Sequence, residues 1–130
     1  MIRKVIHVDI YNYTVVVYIA DTTSEAIKQV ETDYSVDLKD TANTIGRMVV
    51  LTGPKQQENV VIMLAKDSTN ATVAHECLHS AYYILDYIGQ ECTEANHEVL
   101  AYLMSFLIKE IDKIKLKYAS TTTESNKKLK

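Results

Sequence analysis

Five consecutive residues in the second half of the chain, His75-Glu76-Cys77-Leu78-His79, form an H-E-x-x-H motif. On a helix, side chains four residues apart share a face with Cβ atoms about 5–6 Å apart. Two imidazoles at that spacing can reach one zinc ion at Zn–N distances of about 2.0–2.1 Å. A glutamate beside the first histidine can then take a proton from a zinc-activated water. The motif therefore predicts a zinc-dependent hydrolase, most simply a peptidase, with Glu76 as its general base.

Two helices are expected around this motif. Asp67, Ser68 and Thr69 can cap a helix that runs from about residue 70 to 88 and ends at Gly89. Thr93 can cap a second helix from Glu94 to about residue 118, which carries a strong apolar stripe. Because only about residues 89–93 connect the two, the second helix must fold back against the first. A helical hairpin carrying the motif is therefore predicted.

A catalytic zinc needs a third protein ligand, with water in the fourth position. Glu98 on the second helix is the favoured candidate, because the small Ala101 that follows leaves room for a metal between the helices. Glu94 lies one turn earlier and is the reserve, while His97 points about 100° away from Glu98. Tyr102, one turn after Glu98 on the same face, is a candidate to stabilise the oxyanion. His97, Tyr82 and Tyr83 remain open for that role.

The two helical segments, VAHECLHSA at 73–81 and NHEVLAYL at 96–103, resemble small zincin-like metallopeptidases encoded by phages and prophages. The resemblance covers about residues 60–108 and implies that His75, His79 and Glu98 bind zinc, with Glu76 as base. It also implies that an extended substrate pairs with the strand before the motif helix, so that residues 60–65 border the cleft. The sequence departs from larger gluzincins in the short distance between His79 and Glu98, and in having no dedicated histidine for the oxyanion.

The rest of the chain indicates a small sheet. Alternating or β-branched runs predict strands at about 5–11, 14–20, 45–52 and 60–65, the first two as a hairpin, with a helix at about 24–33 and a loop at 35–44. The predicted fold is α+β, a small, twisted and mainly antiparallel sheet packed on the helical hairpin. Residues 1–118 form one predicted domain, and the polar stretch 119–130 is expected to be a disordered tail.

Composition excludes several classes of protein. A formal charge of −3 without a basic stripe gives no reason to expect a nucleic-acid partner. No run of 18 apolar residues occurs, so a membrane-spanning helix is not expected. Cys77 and Cys92 form no disulfide framework, and Cys77 points away from both histidines as small core filler. We therefore expect free thiols and a reducing compartment, and the resemblance implies the cytoplasm of a bacterial or phage-infected cell.

Two functions from different classes remain open. The first is a zinc peptidase acting on a protein or peptide substrate. The second is a non-enzymatic, zinc-stabilised binding protein of phage origin, such as a virion or host-takeover component. A structural zinc is usually closed by four protein ligands, which Cys92 or Glu94 could complete, and needs no base. A binding domain without metal is a third possibility. The presence of Glu76 favours the enzyme.

Overall fold

The computed structural model describes the backbone of residues 1–39 and 44–128, and the side chains of those residues up to 120. The elements are β1 (Ile2–Val8), a 3-10 turn (Asp9–Tyr11), β2 (Tyr13–Ala20), α1 (Thr23–Tyr34), β3 (Gly46–Thr52), β4 (Glu58–Ala65), α2 (Asn70–Tyr87) and α3 (His97–Lys128). Strands β2, β3 and β4 and the first two helices lie close to their predicted positions. The first strand is shifted toward the start of the chain, because Asp9–Tyr11, predicted to end it, forms the 3-10 turn. Residues 35–39 have no regular structure, as expected, and residues 40–43 of the predicted loop lie outside the described part.

The four strands form one mixed sheet in the order β1-β2-β4-β3. The pairs β1–β2 and β3–β4 are antiparallel, whereas β2 and β4 are parallel. A parallel pair requires a long crossover, which α1 and β3 supply between β2 and β4. The α+β class predicted from the sequence is confirmed. This order leaves β1 and β3 as the two edge strands.

The two central strands are buried on both faces. In β2, Val15 and Ile19 pack in a core with α2 and α3, while Val16 and Ala20 pack in a second core with α1. The strand β4 alternates in the same way. Strands covered on both faces read as continuous apolar runs, and this explains the composition of 14–20 and 60–65.

Helices α2 and α3 cover one face of the sheet side by side. The Thr69 hydroxyl accepts a hydrogen bond from the Thr72 amide at 3.2 Å and so caps α2 at its start. Val73, Cys77 and Ile84 of α2 belong to the same core as Leu103 and Leu107 of α3. Cys77 is fully buried there, as predicted for core filler. Helix α2 contacts β3 and β4, whereas α3 contacts β1 and β2.

Both ends of α3 differ from the prediction. The helix begins at His97 instead of Glu94, because Thr93 forms a separate turn: its amide and hydroxyl both donate to Asn96 Oδ1, at 2.6 and 2.8 Å. At the other end α3 continues to Lys128, through most of the stretch predicted to be a disordered tail. No glycine or proline follows Tyr118, so no residue of that stretch forces the helix to stop.

In the part of the chain that the structure describes, no helix combines the length and the apolar character needed to cross a membrane.

Candidate metal centre

The two motif histidines point to one place. Their Nε2 atoms are 3.2 Å apart, and the ring centroids are 4.7 Å apart with the planes at 70°. Two nitrogen ligands of a tetrahedral zinc at about 2.0–2.1 Å are separated by about 3.3 Å. The same distance also allows a hydrogen bond in which one neutral ring donates to the other. The separation of the two nitrogens therefore matches that of two ligands of one zinc ion.

The helix α2 presents this pair to solvent. Its buried face, which includes Val73, Cys77 and Ile84, packs into the core, and both histidines lie on the exposed side of the helix. Each histidine lines a different cavity. His75 lines one of about 340 Å³ with Gly46 and Thr72, and His79 lines one of about 490 Å³ with Met48, Leu78, Tyr82, Tyr83 and Asp86. Both cavities are lined by residues of α2 and of β3, and we call the surface that carries these two cavities and the histidine pair the cleft.

Glu76 lies at the boundary between the exposed and the packed face of α2. Its side chain is 7% exposed. Burial raises the pKa of this carboxyl, and the neighbouring His75 and His79 oppose that change when they are charged. A carboxylate with a raised pKa is a better proton acceptor near neutral pH. Glu76 therefore has the environment expected of a general base.

Gly46, at the start of β3, allows the strand to approach this carboxylate. A Cβ placed on Gly46 would lie 2.7 Å from Thr72 Cγ2, 3.3 Å from Leu64 Cδ2 and 3.4 Å from Glu76 Cγ. Only glycine fits there without a shift of its neighbours. Sequence reasoning missed Gly46, although a glycine in a strand often marks a close approach of two backbones.

The strand that borders the cleft is β3. The prediction that residues 60–65 would border it and pair with a substrate is wrong, because β4 is hydrogen-bonded to β2 on one side and to β3 on the other. Among the described strands, the edge of the sheet on this side belongs to β3, which contacts α2. An extended peptide can add to this edge by backbone hydrogen bonds.

Glu98 is not brought to the histidine pair. Its side chain is 70% exposed, and its only ion pair among the described residues is a contact of 4.0 Å to His97. Glu98 is nine residues from Leu107, and at about 100° per residue this places it roughly 180° from the packed face of α3. Within residues 1–39 and 44–120, no group of three or more His, Cys, Asp or Glu side chains is arranged to hold a metal. The described arrangement therefore brings together two candidate ligands and not the third.

Tyr102 is also directed elsewhere. It is exposed and lines a cavity of about 540 Å³ with His7, Asp9, Leu103 and Phe106, on the β1 side of the sheet. The reason is that α3 lies under β1 and β2, and not beside the cleft.

The remaining candidate ligands lie away from the histidine pair, whereas two of the candidate oxyanion donors lie beside it. Glu94 is exposed in the turn before α3, and Cys92 lines a separate cavity with Tyr82 and Asp86. Of the side chains considered for the oxyanion, Tyr82 and Tyr83 are the two that share a cavity with His79.

Comparison of the chain with protein-family models, with curated proteins and with solved structures found no match.

Proposed function

We propose that this protein is a zinc-dependent peptidase in which His75 and His79 hold the metal and Glu76 is the general base. The observation that carries the proposal is the 3.2 Å separation of the two Nε2 atoms, which matches two ligands of one zinc. Its surroundings support it, because the intervening Glu76 is buried beside a strand with a free edge.

Zinc bound to this pair would supply a water of lowered pKa and polarise the substrate carbonyl. Residues of the protein would bind the substrate, transfer the proton and stabilise the oxyanion. The free edge of β3 holds the substrate backbone extended across the cleft. Glu76 accepts the proton of the attacking water and delivers it to the leaving amine. The hydroxyl of Tyr82, in the cavity beside His79, would donate to the carbonyl oxygen as charge develops on it, whereas the Tyr83 hydroxyl already donates to Glu58 Oε1.

The third protein ligand remains the incomplete part of this site. The resemblance implies Glu98, which would have to reach the histidines through a change in the first turn of α3. Glu94, in the turn just before it, serves as a matched control because it is a second exposed carboxylate in the same region.

Metal analysis by mass spectrometry of the native protein tests the ligands. We expect one zinc per chain in the wild type and in Glu76→Gln, and none in His79→Ala. Glu98→Gln should weaken zinc binding by more than about ten- to a hundredfold if Glu98 is the third ligand, since losing a residue that only supports a ligand already costs that much, whereas Glu94→Gln should leave it unchanged. Full zinc content in His79→Ala would overturn the assignment of the pair.

Cleavage assays test the reaction. Wild type loaded with zinc should cleave a peptide that Glu76→Gln, equally loaded, leaves intact. Equal cleavage by both would remove Glu76 from its role as base.

The second candidate is a non-enzymatic binding protein of phage origin, either a virion or a host-takeover component. The observation that favours it lies away from the motif: the 540 Å³ cavity beside β1 is bordered by the exposed apolar side chains of Ile10 and Phe106. Such a surface is typical of an interaction site. Zinc binding by the histidine pair with no cleavage of any peptide would favour this candidate.

A further inference from the structure

The exposed side of α2 carries a stripe of four polar or aromatic residues that extends beyond the motif. His75, His79, Tyr82 and Asp86 are spaced at intervals of four, three and four residues, so they lie on one side of the helix. Asp86 is seven residues after His79, or about 10 Å along the helix axis. The stripe therefore connects the proposed metal site to a carboxylate.

The cavity between His79 and Asp86 has apolar walls. Met48 of β3 and Leu78 and Tyr82 of α2 line it, and Leu78 and Tyr82 are 42% and 57% exposed. Tyr83 completes the wall, and its hydroxyl is fixed by a hydrogen bond of 2.6 Å to Glu58 Oε1. An open apolar wall beside a strand edge offers a contact surface for a substrate side chain.

Asp86 stands at the far end of this cavity without a cation. Among the residues whose side chains the structure describes, no lysine or arginine lines this cavity or the adjoining one, which adds the carboxylate of Glu91. Within the described part of the chain, Asp86 forms no ion pair, whereas Asp21 pairs with Lys66 and Glu110 with Lys113. A positively charged group would therefore complement this end of the cleft.

The position of Asp86 in α2 gives a second reason to look for a cation. It lies in the last turn of the helix, a turn that holds no basic residue. The carboxyl end of a helix carries partial negative charge, so an aspartate there is unfavourable for the helix itself. Helix stability therefore does not explain Asp86, and the local potential attracts positive charge.

We propose, on the basis of the proposed peptidase function, that the cleft selects extended peptides with a lysine or arginine whose side chain enters the cavity beside His79 and ends on Asp86. A peptide paired with β3 directs alternate side chains toward α2. The aliphatic part of a basic side chain then packs on Met48, Leu78 and Tyr82, and its charged end reaches the carboxylate.

Binding tests this specificity separately from catalysis. The protein is full-length Glu76→Gln loaded with zinc, which should not cleave. The probes are three fluorescein-labelled alanine octapeptides that differ at one central position, which holds lysine, norleucine or glutamate. Fluorescence anisotropy at low salt gives each dissociation constant. We expect lysine to bind about three- to tenfold more tightly than norleucine, and glutamate to bind most weakly.

Two substitutions of Asp86 test whether its carboxylate causes the preference for lysine. Adding Asp86→Asn should abolish the advantage of lysine over norleucine, and Asp86→Lys should make glutamate the preferred peptide. Glu91→Gln is the matched control, because Glu91 does not line the cavity beside His79, and it should preserve the preference for lysine. Asp86→Asn should also raise the melting temperature slightly, which shows that the loss of selectivity does not come from unfolding.

The proposal is overturned if the three peptides bind equally, if none of them binds, or if Asp86→Asn retains the preference for lysine. The peptidase function fails by a different result: absence of zinc from the wild type, or equal cleavage by wild type and Glu76→Gln. Selective binding of the lysine peptide without cleavage by the wild type would support the cleft assignment and refute the enzyme.

Discussion

Replacing Gly46 by alanine tests the close approach of β3 to the motif helix. The new methyl would lie 2.7 Å from Thr72 Cγ2, a separation at which one of the two groups must move, and 3.3 Å from Leu64 Cδ2. Overpacking of this kind costs about 1–3 kcal/mol. The backbone of Gly46 does not have positive φ, so alanine also restricts the unfolded chain, which offsets about 0.4–1 kcal/mol. Since the clash is the larger effect, we expect Gly46→Ala to be less stable by about 1–2 kcal/mol.

The measurement is urea unfolding followed by circular dichroism, with Thr72→Ser as a compensating change. Serine removes Cγ2 but keeps the hydroxyl that lies 3.2 Å from Thr69 Oγ1. The double variant Gly46→Ala/Thr72→Ser should therefore recover most of the loss, with a coupling free energy of about 1 kcal/mol in a double-mutant cycle. An additive pair, or Gly46→Ala as stable as the wild type, would refute the packing described for this strand.

Three further results are expected. Burial raises the pKa of the Cys77 thiol to about 12, so iodoacetamide at pH 8 should modify only the half-buried Cys92 in the folded protein and both thiols after unfolding, as counted by mass spectrometry. Burial, with the hydrogen bond to Asp33, raises the pKa of Tyr18 to about 12. Since an unfolded tyrosine loses its proton near pH 10, the stability that Tyr18 contributes should be complete below that pH and fall between about pH 10 and 12. Tyr18→Phe should flatten this fall, as measured by the midpoint of urea unfolding at each pH. Leu107→Ala should cost about 2–5 kcal/mol in urea unfolding, because Leu107 is fully buried between α3 and α2, and a loss below 1 kcal/mol would contradict that packing.

The sequence indicated the strands well but not which of them lie at the edges of the sheet. Residues 14–20 and 60–65 are continuous apolar runs because both strands are covered on two faces, and such runs are easy to recognise. The same property hides which neighbours each strand has, since every position is apolar. The strand bordering the cleft was therefore misidentified, and the true edge strand β3, which includes Gly46, was not connected with the motif.

The motif histidines and Glu76 could be predicted because their relation is local to one helix. Helical spacing alone brings the side chains of His75 and His79 to the same face, and the rotamers in the structure place their Nε2 atoms 3.2 Å apart. Glu98 and Tyr102 depend instead on how α3 is rotated about its axis. The stripe at Leu103 and Leu107 contains that information, since Glu98 lies about half a turn away from it.

The buried apolar stripe of α3 limits how Glu98 can reach the zinc proposed here. Rotating the whole of α3 by half a turn would expose Leu103, Leu107, Ile111 and Ile114, which are all buried. At about 1.5–3 kcal/mol for each side chain, the cost of roughly 6–12 kcal/mol is comparable to the entire stability of a domain of this size, about 5–15 kcal/mol. A change confined to the first turn, before the buried stripe begins at Leu103, avoids that cost.

Hydrogen exchange with and without zinc can detect this change. If Glu98 is the third ligand, exchange should change at the amides of residues 97–101 and stay constant at 107–114, because only the first turn rearranges. Glu98→Gln should abolish the change, and Glu94→Gln should preserve it. A zinc-dependent change throughout α3 would contradict the local rearrangement. Zinc binding with no change in the first turn would remove Glu98 from the ligand set, because its present direction, half a helical turn from the packed face, does not lead to the histidines.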